Sequence, residues 1–138
     1  SLKTAYWDPS ITTKTMDKVR PELPASLTEG DLKEEELFQN MVLRPVIKMQ
    51  HEILILRVKS YFTTKKVIFN LMDKEKRTLA IESAFQNDNP LKKEIQGMIL
   101  GQLDPAEFQT YLKFERSMNK RVVHMVRNRM LDSILELA

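Results

Sequence analysis

Residues 43–62 read LRPVIKMQHEILILRVKSYF, which is the most apolar stretch of the chain. At roughly 100° per residue, one helical face carries a mainly apolar set, whose members are Ile47, His51, Leu54, Val58 and Phe62. Three further apolar side chains, Met49, Ile53 and Leu56, fall on other faces. Because a helix that is apolar on several sides is usually surrounded by others, this stretch predicts a central helix. Pro45 removes a backbone donor, so we expect the helix to kink there.

The composition is that of one folded domain. The chain has 138 residues, of which 42% are hydrophobic and 30% charged, and this length supports a single substantial core. A formal net charge of +3, from 22 basic and 19 acidic residues, is too small to identify a nucleic acid or a membrane as the partner. The absence of cysteine excludes disulfides, thiol nucleophiles and thiolate metal sites.

Nothing in the sequence points to a membrane. No apolar run is long enough to cross a bilayer, and the chain opens without the basic, apolar and small-residue series of a secretory signal. We therefore expect no membrane partner and a cytoplasmic location.

Two segments of the chain differ in composition. Residues 1–30 carry three prolines among several serines and threonines, which disfavour a helix, so we predict an extended N-terminal arm. Tyr6 and Trp7 offer large apolar side chains that could dock the arm on its own domain or on a partner. Residues 31–138 predict the helical domain.

Capping residues mark where the helices of this domain begin. Ser, Thr, Asp and Asn side chains satisfy the free N–H groups of a first turn, and the candidates are Thr28 or Asp31, Asp73, Asn89 followed by Pro90, and Asp104. Asp104-Pro105-Ala106-Glu107 combines a cap, a first-turn proline and the glutamate of a capping box. Neither proline nor glycine follows, which predicts one long final helix with a bend near residues 117–119. Strand patterns are absent, so the predicted fold class is all-α, a bundle of four or five helices.

Gly97 and Gly101 lie four residues apart in the helix that follows Pro90. Glycine lowers helix stability, so we expect both to mark the close approach of another helix. The same spacing in a membrane helix would indicate dimerisation, but here the flanks are charged.

The final helix carries a basic stripe. Five side chains share its polar side at helical spacing, and they are Lys113, Arg116, Lys120, His124 and Arg127. Such a stripe can follow the phosphates of a nucleic acid. However, no exposed aromatic residues are interleaved with it, and acidic residues flank it, namely Asp104, Glu107, Asp132 and Glu136. The sequence therefore favours an ordinary solvated face over a nucleic-acid interface.

Arg129 projects among the apolar positions of the same helix. A buried guanidinium needs a carboxylate, and the candidates are Glu52, Glu82, Glu94 and Glu115. A structural ion pair is the favoured interpretation, and the alternative is a small-ligand or catalytic cavity between the central and final helices. The polar lining of that cavity would be Arg44, Gln50, His51, Tyr111, Arg121 and Arg129.

The histidines do not form a metal motif. His51 would need a second histidine at Ile55 for the zinc-protease spacing. The only other histidine is His124, and the paired Glu-x-x-His repeats of di-iron bundles are absent. No phosphate loop, dinucleotide fingerprint or serine nucleophile elbow occurs. We therefore expect no metal, no cofactor and no catalytic residue.

Several short motifs resemble a family of small helical proteins from Bacteroidetes bacteria. They are LRPVIKMQ at residues 43–50, GMILG at residues 97–101, Asn119-Lys120-Arg121 and Arg129-Met130, and the similarity covers about residues 36–135. Some members of that family carry an automatic label of glyoxalase. Glyoxalase I and its relatives build a metal site from His and Glu on paired βαβββ modules, whereas this chain has two histidines and no series of strands. The resemblance implies a helical protein of the bacterial cytoplasm and does not imply an enzyme.

Together these patterns favour a non-catalytic protein that acts by self-association, as a homo-oligomer, or by binding another protein through the central helix or the arm. The eight methionines suit adaptable contacts, although we expect most of them to fill the core. Small-ligand binding or catalysis at the cavity is one alternative. Nucleic-acid binding through the basic stripe is the other.

Overall fold

The computed structural model describes residues 19–20 and 33–138. Within these ranges the chain is helical and has no strand, which confirms the all-α class. The elements are α1 (Glu34–Phe38), a π-helical turn (Gln39–Leu43), α2 (Arg44–Met49), α3 (His51–Thr64), a 3-10 turn (Phe69–Leu71), α4 (Lys74–Asn87), α5 (Asn89–Leu100), α6 (Pro105–Lys113), α7 (Glu115–Asp132) and α8 (Ile134–Leu137). None of these helices is long and apolar enough to span a membrane. The predictions for Tyr6, Trp7, Thr28 and Asp31 lie outside the described residues.

The chain stays helical through Pro45. The π-helical turn ends just before the proline, which lies in the first turn of α2. Because proline cannot donate to the carbonyl four residues earlier, a wider turn ahead of it accommodates the missing bond. The interruption falls instead at Gln50, whose φ of −88° and ψ of 8° separate α2 from α3. The helical backbone is therefore interrupted at Gln50, and the kink that we expected at Pro45 stays a prediction.

The stretch predicted to be central also exposes apolar side chains to solvent. In α3, Leu54 and Val58 are wholly buried, but Ile53 is 40% exposed and Leu56 is 67% exposed. The helix that packs on most of the others is α7, which contacts α2, α4, α5, α6 and α8. Four of its side chains are wholly buried, namely Met118, Val122, Val126 and Met130. Among the described contacts, α7 therefore packs on more of the other helices than the stretch at residues 43–62 does.

Side-chain caps fix the starts of α4 and α6. Asp73 accepts a hydrogen bond from the Lys76 backbone N–H at 2.9 Å, as predicted. Asp104 and Glu107 form the predicted capping box, with bonds of 2.8 and 2.9 Å between the side chain of each and the backbone N–H of the other. Arg20 donates to the Glu107 carboxylate at 2.5 Å, so this residue contacts the start of α6.

The start of α5 differs by one residue from the prediction. Asp88, rather than Asn89, is the cap, and its carboxylate accepts from the Leu91 backbone N–H at 3.0 Å. The Tyr61 hydroxyl donates to the same carboxylate at 2.8 Å. Asp88 thus both caps α5 and joins it to α3.

The final helical region is interrupted twice. The first break falls at Phe114, with φ −125° and ψ 27°, rather than at residues 117–119. A second falls at Ser133, with φ −113° and ψ 25°. This second break lets Ile134 and Leu137 bury their side chains where α8 contacts α3, α4 and α7. Hydrophobic burial therefore explains a break that no proline or glycine marks.

The glycine pair does not mark a contact between helices. A Cβ atom added at Gly97 would meet nothing within 4 Å. At Gly101 it would meet the carbonyl oxygen of Gly97 at 3.0 Å, which belongs to the same helix. The expected close approach of a second helix is therefore wrong, and Gly101 instead ends α5.

Candidate functional site

A groove of about 660 Å³ runs between α4, α5 and α7. Lys92 and Lys93 line it from α5, and Lys120, His124 and Arg127 line it from α7. The remaining lining residues are Glu82, Phe85, Gln86, Asn89, Gln96, Asn119 and Val123. The basic groove, as we name this feature, thus gathers five basic side chains and one carboxylate among its described lining residues.

The charge of the basic groove is not neutralised by the part of the chain that the structure describes. None of its five basic side chains forms an ion pair with a described carboxylate. Lys92 donates to the Gln86 carbonyl oxygen at 3.0 Å. Arg127 donates to Asn128 Oδ1 at 3.2 and 3.3 Å. These acceptors are neutral, so the groove keeps an excess of positive charge.

Burial and the positive charge of the groove both lower the pKa of His124. Partial burial lowers the pKa of its imidazole below the ordinary value, and the positive charges of Arg127, Arg121 and Lys120 lower it further. At neutral pH the ring is therefore mostly uncharged and offers one N–H donor and one acceptor. An anion bound nearby would raise the same pKa.

The acidic residues that flank the basic stripe in sequence do not line the basic groove. Asp104 and Glu107 form the capping box of α6. Glu136 lies on α8, 3.0 Å from His51 Nε2. Asp132 lines a separate depression on α7. The acidic residues that argued against a basic interface are therefore absent from the described lining of the basic groove, although Asp132 shares the neighbouring depression with His124.

The predicted basic stripe is shorter than the sequence indicates. Lys113 belongs to α6, and its Nζ lies 3.2 Å from Glu34 Oε1. Arg116 is exposed on α7 outside the basic groove. Lys92 and Lys93, which form the opposite wall, were missed because they come from another helix. Periodicity along one helix contains no signal for them.

A smaller depression of about 220 Å³ lies between α2 and α7. Arg44, Arg121 and Arg129 line it, together with His124 and Asp132. We name it the arginine depression. It brings together three of the six residues predicted to line a ligand cavity, and His124 belongs to both this depression and the basic groove.

Arg129 is bonded to a histidine in place of the expected carboxylate. Its Nε donates to His51 Nδ1 at 2.8 Å, and His51 Nε2 lies 3.0 Å from Glu136 Oε1. A guanidinium has only donors, so Nδ1 must accept and Nε2 must carry the proton that is donated to Glu136. The carboxylates predicted as its partners, Glu52, Glu82, Glu94 and Glu115, form no ion pair with it.

Gln50 and Tyr111 lie apart from the arginine depression. Gln50 is only 4% exposed, and its amide donates to the Met98 carbonyl oxygen at 3.2 Å. The Tyr111 hydroxyl donates to Asn119 Oδ1 at 2.6 Å. Both side chains join neighbouring helices inside the domain, so these two members of the predicted cavity do not meet the arginines.

The two histidines have no set of metal ligands around them in the described ranges. Across residues 19–20 and 33–138, no group of three or more His, Asp or Glu is arranged to hold a metal ion. His51 is bonded to Arg129 and Glu136, and His124 lies among cations. The basic side chains are therefore the main candidates for ligand binding among the described residues.

No model of a protein family, no curated protein and no solved structure matches the chain. The resemblance to a helical family of Bacteroidetes stays a prediction from short motifs, as do the bacterial and cytoplasmic assignments. The function is therefore inferred from the geometry and charge of the basic groove and the arginine depression.

Proposed function

We propose that this is a non-catalytic helical binding protein whose partner is a double-stranded nucleic acid, held by its phosphate backbone along the basic groove. The carrying observation is that Lys92, Lys93, Lys120 and Arg127 line one groove without an ion pair to any described carboxylate. Each phosphate that a lysine or arginine neutralises releases condensed counterions, which favours binding whatever the base sequence. Contacts of this kind fix position rather than read bases.

The second basic wall, on α5, favours nucleic-acid binding over an ordinary solvated face. Taken alone, a stripe on one helix is most simply a solvated face. Lys92 and Lys93 on α5 lie across the groove from Lys120 and Arg127 on α7, so cations line the groove from both sides. Since side chains on both walls can contact one strand of phosphates, a two-walled groove supports nucleic-acid binding better than a stripe does.

The floor of the groove argues against an amphipathic protein helix as its occupant. Such a helix binds by inserting apolar anchors into hydrophobic pockets. The apolar floor residues Phe85 and Val123 are 2% and 6% exposed, so they offer almost no surface to an anchor. Phosphates require only charge and hydrogen-bond donors, which the walls supply.

The same floor favours a duplex over a single strand. Proteins that hold single strands usually stack the bases on exposed aromatic rings. Among the described lining residues the only aromatic one is Phe85, which is buried. Backbone contact with a duplex needs no such ring.

Fluorescence anisotropy of a short labelled DNA duplex tests the proposal. The groove variant is Lys92→Gln/Lys93→Gln/Lys120→Gln. The matched control is Lys59→Gln/Lys74→Gln/Lys76→Gln, which removes three exposed charges outside the groove. We expect the groove variant to lose on the order of tenfold or more in affinity and the control to stay within about twofold of the unmodified protein. Equal losses in the two variants, or no binding by the unmodified protein at low salt, would overturn the proposal.

Self-association is a second candidate, supported by α3. Ile53 and Leu56, three residues apart, are 40% and 67% exposed on the most apolar helix. Light scattering after size-exclusion chromatography should give an oligomer for the unmodified protein and a monomer for Leu56→Glu. A monomer at every concentration of the unmodified protein would exclude this candidate.

We also propose that the helices count as four rods, at residues 34–64, 74–87, 89–100 and 105–137. Gln50, Phe114 and Ser133 each interrupt a rod with ψ between 8° and 27°, whereas the single residue Asp88 is extended, with ψ 94°, and separates two rods. This proposed count is the four-helix form of the bundle of four or five helices expected from the sequence.

A further inference from the structure

We infer that the arginine depression binds the phosphate group of a phosphate monoester. This site is separate from the backbone contacts proposed for the basic groove, and it does not depend on them. It lies between α2 and α7, whereas the groove lies between α4, α5 and α7, and the two share only His124 among their described lining residues.

Two of the three arginines are held by consecutive residues of the π-helical turn. Arg121 Nε donates to Gln39 Oε1 at 2.9 Å, and Arg44 Nε donates to Asn40 Oδ1 at 3.0 Å. The wide turn ahead of Pro45 thus supplies both carboxamides. This gives the π-helical turn a role in orienting side chains, in keeping with the frequent occurrence of such turns at functional sites.

The third arginine is oriented by a histidine. Arg129 Nε donates to His51 Nδ1 at 2.8 Å, and Glu136 accepts from the other nitrogen of the ring at 3.0 Å. All three arginines are therefore attached to the protein through Nε. Their terminal Nη groups have no acceptor among the described residues.

Free Nη groups are the part of arginine that binds oxyanions. Paired N–H groups form two-pronged contacts with carboxylates and phosphates, and fixing Nε reduces the ordering that such a contact requires. Three guanidinium groups approach from two helices, and a ligand with three terminal oxygens offers each guanidinium an oxygen of its own. A phosphate monoester has three terminal oxygens, whereas a carboxylate has two.

The charge of the depression also fits a dianion. Among its described lining residues, three guanidinium groups and one carboxylate, Asp132, leave an excess of two positive charges, and Glu136 interacts with Arg129 from outside this lining. Asp132 lies beyond ion-pair distance of all three arginines. At roughly 30 Å³ per water molecule, a volume of about 220 Å³ holds several waters. A phosphate group can replace some of them and leave its attached group pointing to solvent.

Isothermal titration calorimetry with inorganic phosphate is the primary test. We expect the Arg44→Gln/Arg121→Gln variant to lose about tenfold or more in phosphate affinity. The control Arg116→Gln, an exposed arginine of α7 outside both sites, should bind as the unmodified protein does. Sulfate should compete with phosphate, and acetate should bind at least tenfold more weakly. Equal binding of acetate and phosphate, or equal loss in Arg116→Gln, would overturn the inference.

The phosphate monoester could come from a small metabolite or from the end of a nucleic acid, and two ligands distinguish these sources. Glycerol phosphate represents a small metabolite, and a 5′-phosphorylated duplex represents the end of a nucleic acid. A duplex without a terminal phosphate should bind the Arg44→Gln/Arg121→Gln variant as well as it binds the unmodified protein. An equal loss for both duplexes would show that the arginines act only as general charge, and it would overturn the separate site without affecting the groove. As a second measurement, phosphate should raise the melting temperature of the unmodified protein and of Arg116→Gln but not that of the double variant.

Discussion

Arg129 and His51 form a hydrogen bond of 2.8 Å in which the guanidinium donates to an imidazole nitrogen. Since arginine cannot accept, this one bond fixes the tautomer of His51 and directs its other N–H to Glu136. The pKa of the Glu136 carboxyl is lowered, first by this hydrogen bond from His51. The three side chains join α7, α3 and α8, so the bond links the end of the described chain to the core helix.

Replacing His51 by leucine should remove the only described acceptor of Arg129 Nε. The His51 side chain is 22% exposed, so water compensates in part and we expect a loss of about 1 kcal/mol in the free energy of unfolding. Urea denaturation measures it. Glu136→Gln keeps an oxygen that can accept from His51 and should cost clearly less. Equal losses of unfolding free energy in the two variants would contradict the arrangement in which Arg129 donates to His51 and His51 donates to Glu136.

Tyr61 and Asp88 should behave as a coupled pair. The pKa of the Tyr61 hydroxyl is raised to about 12 by burial and by its bond to the Asp88 carboxylate. Tyr61→Phe should cost about 1 kcal/mol in the free energy of unfolding. In a double-mutant cycle with Asp88→Asn, which retains a capping oxygen, the two costs should add to more than the cost of the double variant. Strict additivity would show that the bond contributes nothing to stability.

Gly97→Ala should stabilise the protein. The position lies inside α5 and the added Cβ would meet nothing within 4 Å, so the substitution gains helix propensity of up to about 1 kcal/mol. Gly101→Ala should be neutral or destabilising, because its Cβ would meet the Gly97 carbonyl oxygen at 3.0 Å. Thermal and urea unfolding compare the two variants. Destabilisation by Gly97→Ala would instead support the helix contact that the sequence suggested.

The lowered pKa of His124 makes stability depend on pH. Because the folded-state pKa lies below the unfolded-state pKa, the unfolded chain binds the proton first as the pH falls, and stability falls between the two values. His124→Gln removes this term. The variant should therefore gain stability relative to the unmodified protein as the pH is lowered from about 7 to about 5. A constant difference across that range would contradict the shift.

Local patterns in the sequence predicted much of the fold. Asp73 and the Asp104–Glu107 capping box start their helices as expected, because a cap depends on residues within one turn. The many helix neighbours of α7 were not predicted, since the number of neighbours of a helix depends on packing and not on its own apolar content. The break at Ser133 was missed for the same reason.

Some residues of the candidate sites were also predictable from the sequence, and others were not. Lys120, His124 and Arg127 were recognisable from their spacing on one helix, and Arg129 from its position among apolar residues. Arg44 and Arg121 were predicted with Arg129 as lining of one cavity. The groove wall at Lys92 and Lys93, and the carboxamides of Gln39 and Asn40 that hold two arginines, depend on contacts between distant segments. Periodicity along a single helix contains no record of those contacts.

The salt dependence of duplex binding tests the proposed function most directly. Three lysines and one arginine line the basic groove, namely Lys92, Lys93, Lys120 and Arg127. At about −0.9 per neutralised phosphate, the slope of log K against log salt should be on the order of −3 to −4. Lys93→Gln should reduce the magnitude of that slope by about one, and the control Lys76→Gln should leave it unchanged. A slope near zero for the unmodified protein, or the same change in both variants, would contradict backbone binding in the basic groove.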